Sequence, residues 1–337
     1  MKSISVVTLL WMIAMLAASC KKDGKNNTPE VHAVGTEYGT PYVAKYWKNG
    51  VLTNLSDGIN DAVASSIFIS GDDVYIAGSE RPGIRFVAKY WKNGISTNLT
   101  DGTKSAGAYC IVVSDGDVYV AGYENSLVTT KSIAMYWKNG IPVTLTNGNN
   151  EAAGLSIFVV SGQVYVAGYE SNGTKRVAKY WKNGVAVNLS DGTKDAQANS
   201  IVVSGADVYA AGQENNSGFT PIAKYWKNGV AVSLTDGTKT ARAKDIQVIN
   251  SDIYVTGEES NGMEAVAKYW KNGEPVSLTD GTNYAETTSI FISGTDIYVA
   301  GNEYNGTVDV ARYWKNGVPV TLSDGAEYAY INGICVK

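Results

Sequence analysis

Carboxylates and amines recur along this chain at regular intervals, and they are the first groups to weigh for chemistry. Glutamate stands two residues after a glycine at Glu37, Glu80, Glu124, Glu170, Glu214, Glu259 and Glu303. A basic residue precedes a Tyr-Trp pair at Lys45, Lys89, Lys179, Lys224, Lys268 and Arg312, with Met135 in the third copy. Opposite charges so placed can pair with each other, or can offer one weak site per copy to a multivalent ligand. Acid–base catalysis asks instead for a single constellation whose members have divergent pKa values. Seven equal copies cannot supply that asymmetry, so the pairs are read as structural. Asp57, Asp101, Asp191, Asp236, Asp280 and Asp324, with Asn147 in the third copy, each precede glycine. Calcium draws about six to eight oxygen ligands, and one carboxylate per loop is too few. An Asx turn accommodates Asp and Asn alike. His32, the one histidine, stands where other copies carry tyrosine and reads as a packing residue. The sequence holds no nucleophile elbow, phosphate loop or metal-spaced Cys/His cluster, so neither a cofactor nor a metal is expected.

The elements that must hold these groups follow from one repeated phrase. Tyr-Trp-Lys-Asn-Gly occurs seven times, with tryptophans at Trp47, Trp91, Trp137, Trp181, Trp226, Trp270 and Trp314, 44 to 46 residues apart. A period near this length with dense turn chemistry marks a β-propeller blade. In one copy, residues 157–160, 163–169, 176–182 and 185–190 read as strands A to D, joined by Ser161-Gly162, Asn172-Gly173 and Asn183-Gly184. Asn-Gly between alternating apolar residues is a strong hairpin signal, because both turn residues must accept positive φ. The longest connection runs from D to A, as at 191–199, and returns the chain from the rim to the next inner strand. The stretch 31–35 aligns with strand B and 334–337 with strand A. The expected fold is therefore all-β, a seven-bladed propeller over residues 31–337 with four antiparallel strands per blade. Its C-terminal strand would join the N-terminal blade and leave no open inner edge. Alternation places Val164, Val166 and Gly168 with Val177, Lys179 and Trp181 on one face, and Tyr165, Ala167 and Tyr169 with Ala178 and Tyr180 on the other. The tryptophans read as packing between blades.

Ahead of the repeats, residues 1–19 hold Lys2 and an apolar run from Val6 to Ala18, too short to span a bilayer and suited to a cleaved export signal. Ala17, Ala18 and Ser19 lead into Cys20, and the segment resembles the lipobox of bacterial lipoproteins, although Ala17 stands where leucine is commonest. The resemblance implies acylation of Cys20. With Lys21 following, it implies an outer-membrane lipoprotein, at the cell surface or on the periplasmic side. Two or more acyl chains make anchoring stable, and residues 20–30 suit a flexible tether. An ordinary secretory signal is the alternative. Without the signal the chain carries 27 basic against 32 acidic residues, no footprint for nucleic acid. Cys335 is placed one repeat position after Cys110, which would put the two on opposite faces as buried thiols outside any bridge. Asp73-Val74-Tyr75-Ile76-Ala77-Gly78 and Asp117-Val118-Tyr119-Val120-Ala121-Gly122 resemble the SBBP-type and delta-60-type propeller repeats of bacterial surface or secreted proteins. That resemblance covers the chain from about Val31 onward and implies blade architecture without a particular activity.

Alternation of strands puts the B–C and D–A connections on one face of the disc, and A–B with C–D on the other. The second face is uniform, whereas the first varies at Lys194, Asp195, Lys239, Asn283, Tyr284, Glu327 and Tyr328. Variation on an invariant scaffold is how loop-borne recognition is built. The leading expectation is a non-enzymatic, lipid-anchored, monomeric propeller that binds a protein or glycan through this face. A lectin with one pocket per blade is the alternative. A hydrolase or lyase at the channel mouth would need two nonrepeated carboxylates to converge there, and Asp195 and Glu286 are scattered candidates.

Overall fold

The computed structural model describes residues 29–337; Cys20, the export segment and most of the tether lie outside them. The described chain forms 28 strands in seven four-stranded antiparallel sheets. Blade 1 takes its B, C and D strands from Val31–Tyr38, Val43–Lys48 and Val51–Asn54, and its A strand from Tyr328–Val336 at the other end of the chain. Val31 faces Val336 and His32 faces Cys335 across this seam, and Glu30 and Lys337 exchange two backbone bonds of 2.9 Å beyond it. The other blades are continuous. Blade 4, for example, runs Ala152–Val160, Gln163–Ser171, Arg176–Lys182 and Val185–Asn188. Strand A of each blade neighbours strand A of the next, and the circle closes between blades 1 and 2.

Turn chemistry sets the hairpins. The asparagine of every C–D turn has positive φ, as at Asn183 (49°) followed by Gly184 (83°), the pairing a tight hairpin needs. Its side chain also closes the A–B end of the blade: Asn183 Oδ1 accepts from the Val164 amide at 2.9 Å.

Register within the B–C hairpin follows simple alternation, with Val166 opposite Trp181 and Ala167 opposite Tyr180. Each of the seven repeat tryptophans is only 1–2 % exposed. It packs on the preceding blade: Trp226 with Ala198 and Ile201 meets Tyr165, Ala167 and Ala178.

Strand A differs from the expectation. It starts at Ala152, not at residue 157, and the return loop is correspondingly shorter. A β-bulge between Gly154 and Ser156, repeated in every blade, inserts one unpaired residue and breaks the alternation by which a strand is recognised. Gly168 serves this bulge, since a Cβ there would lie 1.9 Å from the Ala153 carbonyl oxygen. The bulge also corrects the cysteine alignment. Cys110 pairs with Ala121 and Cys335 with His32, two repeat positions apart rather than one. Both therefore point toward the following blade, Cys110 onto the Ile157 and Trp181 cluster and Cys335 onto that of Ile67 and Trp91. Neither forms a disulfide.

Candidate functional site

The repeated glutamates and basic residues lie on the tryptophan face of each blade, outward from the ring. Lys45 reaches Glu37 at 3.2 Å, Lys179 reaches Glu170 at 2.7 Å and Lys268 reaches Glu259 at 2.6 Å. Lys89–Glu80, Lys224–Glu214 and Arg312–Glu303 are also in contact. Each pair fills the groove against the preceding blade. Blade 3 departs from this: Met135 leaves Glu124 to Lys104 of the D–A loop, at 2.8 Å. A cleft of about 500 Å³ remains there, lined by Leu99, Lys104, Glu124, Met135 and Pro142. A second ring of pairs was not singled out in the sequence. The lysine of Trp-Lys-Asn-Gly meets the acid that opens strand B, as in Lys92–Asp73 and Lys138–Asp117 at 2.8 Å, and lies over a tyrosine ring. Its signal was present in the Asp-x-Tyr spacing.

Every Asp-Gly or Asn-Gly after strand D is an Asx turn. The side-chain oxygen accepts from the amide two residues on, at 2.8–3.0 Å, at Asp57, Asp101, Asn147, Asp191, Asp236, Asp280 and Asp324 alike. Among the described residues no group of three or more His, Cys, Asp or Glu could hold a metal ion, and no helix is long and apolar enough to cross a membrane.

The seven loop residues divide into two sets. Lys194, Lys239, Asn283 and Glu327 occupy the repeat position of Lys104, which serves the peripheral groove; Lys239 Nζ donates to the Asn261 carbonyl at 2.8 Å. Asp195, Tyr284 and Tyr328 sit one residue on, at the start of strand A. Asp195 accepts from Lys175 Nζ (3.3 Å) and the Arg176 amide (3.0 Å), so the B–C and D–A connections do meet on one face. Tyr328 Oη donates to the Thr307 carbonyl at 3.3 Å, and Tyr284 Oη to Glu286 at 3.3 Å.

Glu286 opens a larger constellation around the D–A end of the channel. Two strand-A positions escape the repeat. One lies beside the first buried residue (Val63, Gly107, Ala153, Gln197, Arg242, Glu286 and Tyr330); the other is the bulge (Ser65, Tyr109, Leu155, Asn199, Lys244, Thr288 and Asn332). The facing strand-B position varies as well: Thr36, Ser79, Tyr123, Tyr169, Gln213, Glu258 and Asn302.

These residues are distributed unevenly around the axis. Blades 3 and 4 give an aromatic sector, with Tyr109 and Tyr123 stacked at 5.6 Å and the Arg176 guanidinium 4.5 Å over Tyr169. Blades 5 to 7 give a polar one. Arg176 donates to Gln197 at 3.1 Å, Gln197 to Asn199 at 2.8 Å and Asn199 to Gln213 at 2.9 Å. Lys244 lies 3.6 Å from Glu258 and 3.8 Å from Glu286, and Arg242 lies 3.6 Å from Glu258. Asn302 donates to Glu286 at 3.3 Å, and Tyr330 packs edge-on against Tyr38 at 4.9 Å.

Glu258 is 3 % exposed, and its Oε2 has no hydrogen-bond partner among the described residues. Burial raises its pKa, against the pull of Lys244. Two nonrepeated carboxylates thus converge on one lysine, while Asp195 is held by other partners. A general acid must touch the oxygen it protonates, and Glu258 lies beneath Arg242 and Lys244. The arrangement can grip a ligand more readily than cleave one.

No strand pattern is legible here because the bulge breaks it; the available signal is the one stretch of strand A in which the copies disagree.

Below this level the bulged strands are stitched together. Ser66 and Ser156 accept from the amides of Ile111 (3.4 Å) and Ile201 (3.3 Å) in the next blade, satisfying the inner edge. In blade 6 the same position is Asp245, which accepts from Ser200 (2.6 Å), Ser289 (3.1 Å) and the amides of Ile246 (2.8 Å) and Ile290 (3.0 Å).

Fold and site together define a closed seven-bladed propeller with an asymmetric, tyrosine-rich channel mouth. No protein-family model and no curated protein matches the sequence. Among solved structures, the chain is similar to a puromycin-hydrolysing peptidase of Mycobacterium tuberculosis (TM-score 0.58, 10 % identity, covering 86 % of this chain and 53 % of that one). It is similar also to an acylaminoacyl peptidase of Pyrococcus horikoshii (TM-score 0.53, 12 % identity, 90 % and 52 %). A third is the β-propeller domain of the trilobed protease of Pyrococcus furiosus, described as having an open velcro topology (TM-score 0.52, 11 % identity, 88 % and 95 %). The chain spans about half the length of the two peptidases. At these identities the likeness is one of fold alone.

Proposed function

We propose that the chain is a non-enzymatic binding module of the bacterial cell envelope, lipid-anchored through Cys20, that captures a partner at the D–A/B–C mouth of its channel. One observation carries the reading. Seven near-identical blades diverge where strand A approaches this mouth, and there Glu258 and Asn302 are buried beneath the half-buried Arg242, Lys244 and Glu286. Buried polar groups cost stability unless paired, so a scaffold with no use for them is better served by side chains such as Val63 and Ala153, which other blades carry at the Arg242 position. The lipobox-like segment before Cys20 and the SBBP-like Asp-Val-Tyr stretch support the envelope setting. Seven equal lectin pockets are disfavoured, because Lys–Glu or Arg–Glu pairs occupy the grooves between six blades. A hydrolase or lyase is the second reading, favoured by the approach of Glu258 and Glu286 to Lys244 and opposed by the burial of Glu258.

The test is a photo-crosslinking residue placed at Tyr284 on the mouth or at Val185 on the opposite face, exposed to isolated envelope fractions. Adducts from position 284 alone support the assignment; equal adducts from 185, or none from 284, reject it. Replacing Cys20 with alanine moves the chain from the membrane to the soluble fraction and abolishes palmitate labelling. A Cys20→Ala protein that stays membrane-bound removes the anchor.

A further inference from the structure

The mouth is two-faced, and that division says what kind of molecule fits it. On one side Tyr109 and Tyr123 stack, with Gly107 against the Tyr123 ring, and present aromatic surface; Tyr109 is 38 % exposed. On the other side Gln197, Asn199, Lys244 and Glu286 alternate donors and acceptors around the same rim. Arg176 joins the two, lying over the Tyr169 ring while donating to Gln197. Beneath the polar side, Glu258 holds Arg242 and Lys244 with one carboxylate oxygen and leaves the other buried and unpartnered. An unpaired buried acceptor is a cost that a purely structural cluster would shed.

A folded protein surface is rarely apolar on one edge and densely hydroxylated on the other. A sugar ring is: its C–H face is apolar and its equatorial hydroxyls both donate and accept. Resting on the mouth being the recognition surface, we infer that the ligand is a saccharide chain, one ring of which stacks on Tyr109 and Tyr123 while hydroxyls farther along the chain meet Asn199, Lys244 and Glu286. Glu258 is a positioning residue, since it touches the cations and not the sugar. One asymmetric mouth per molecule fixes the stoichiometry at one, in contrast to a lectin with a pocket in every groove.

Titration calorimetry of the full chain against cellohexaose, xylohexaose, mannohexaose, chitohexaose and hexagalacturonate tests this, with chromatography of the sugars afterwards. The expected result is one-to-one binding of at least one hexasaccharide, recovered intact. Tyr109→Ala and Lys244→Ala each weaken it about tenfold or more, as loss of a stacking or charged contact should. Tyr109→Phe restores it, which a general loss of folding would not permit, and Val185→Thr on the far face leaves it unchanged. Hexagalacturonate bound in preference to the neutral sugars assigns Arg242 and Lys244 to a uronate carboxylate. No hexasaccharide bound, binding indifferent to Tyr109 and Lys244, or a stoichiometry near seven overturns the inference. Hexalysine or hexaglutamate bound in place of any sugar, and weakened by Tyr109→Ala, discards the saccharide while keeping the mouth.

Discussion

His32 lies 2 % exposed at the seam between the chain ends, its Nδ1 2.7 Å from Tyr46 Oη and its Nε2 3.5 Å from Glu30. Burial first, then Lys48, hold its pKa below the usual 6.5, against the opposing pull of Glu30, and Lys337 adds to the depression. Tyr46, pushed up to about 12 by burial, stays protonated beside it. The unfolded chain therefore accepts the imidazole proton more readily than the folded one. Stability present above the unfolded pKa is lost as pH falls through the folded value. Other blades carry tyrosine here, so His32→Tyr preserves the packing and removes the titration. The fall in Tm between about pH 7 and pH 5 becomes smaller in the variant than in the parent, measured by circular dichroism; an unchanged difference assigns the acid sensitivity to other groups. Asp245 poses a second single-residue question. Asp245→Ala strands the Ile290 amide and costs about 1–3 kcal/mol. Asp245→Ser costs less, because Ser66 and Ser156 show that a hydroxyl at this position reaches the next blade's amide. Equal losses in urea titrations would show that the bond to Ile290 is not what matters.

Individual blades were readable to the extent that their strands keep a period of two. Strands B and C, the Asn-Gly turns and the Asx turns follow from residue type alone, because each rests on bonds within a few residues. Strand A was cut short in the reading since its bulge residue, Lys244 or Tyr109 for instance, interrupts the pattern at the point where strands meet around the axis. The candidate site was hidden for a related reason: Glu258 shares a blade with Lys244, but Glu286 belongs to the next one, and only the stacking of the two blades brings it to Lys244. Tyr284 could be named from its loop, whereas Lys194, Lys239, Asn283 and Glu327, chosen on the same grounds, fall at the peripheral repeat position. Blade 3 gives this scale its own test. Lys104 takes over the glutamate that Met135 leaves, so Lys104→Ala loses that ion pair, worth about 0.5–1 kcal/mol at a partly exposed site. Met135→Lys in the Lys104→Ala background restores the arrangement of the other six blades and fills the cleft beside Trp137. A double-mutant cycle by denaturant unfolding should show the two substitutions coupled by a comparable amount. Strict additivity would mean that the two lysines do not serve the same carboxylate. At a complete blade, Trp181→Ala removes a side chain 1 % exposed and costs about 3–5 kcal/mol, read in the same experiment.

Across the whole molecule, stability depends on whether the circle is sealed. Here the last strand pairs with the first, and its residues serve two interfaces at once. Ile334 and Val336 pack into the cluster of Trp47 and Tyr298 toward blade 7, while Cys335 faces Ile67 and Trp91 of blade 2. Deleting residues 334–337 strips Val31, His32 and Ala33 of their strand-A partners, leaving His32 and Ala33 the pairing to Val43–Lys48 alone, and opens both interfaces. Burial of a full aliphatic side chain contributes about 1.5–3 kcal/mol, so losing three buried residues and their ladder removes several kcal/mol. That is a large share of the roughly 5–15 kcal/mol that keeps a domain folded. The truncated chain should melt far below the intact one, with a broadened transition as the loosened first blade unfolds ahead of the rest. Removing Lys337 alone takes away its contact with Asp72 and the backbone pair with Glu30 but leaves the buried strand in place, and should lower Tm slightly. If the longer deletion melts together with the intact protein, the seam is ornamental, the blades hold by stacking alone, and the mouth must keep its shape without a closed ring behind it.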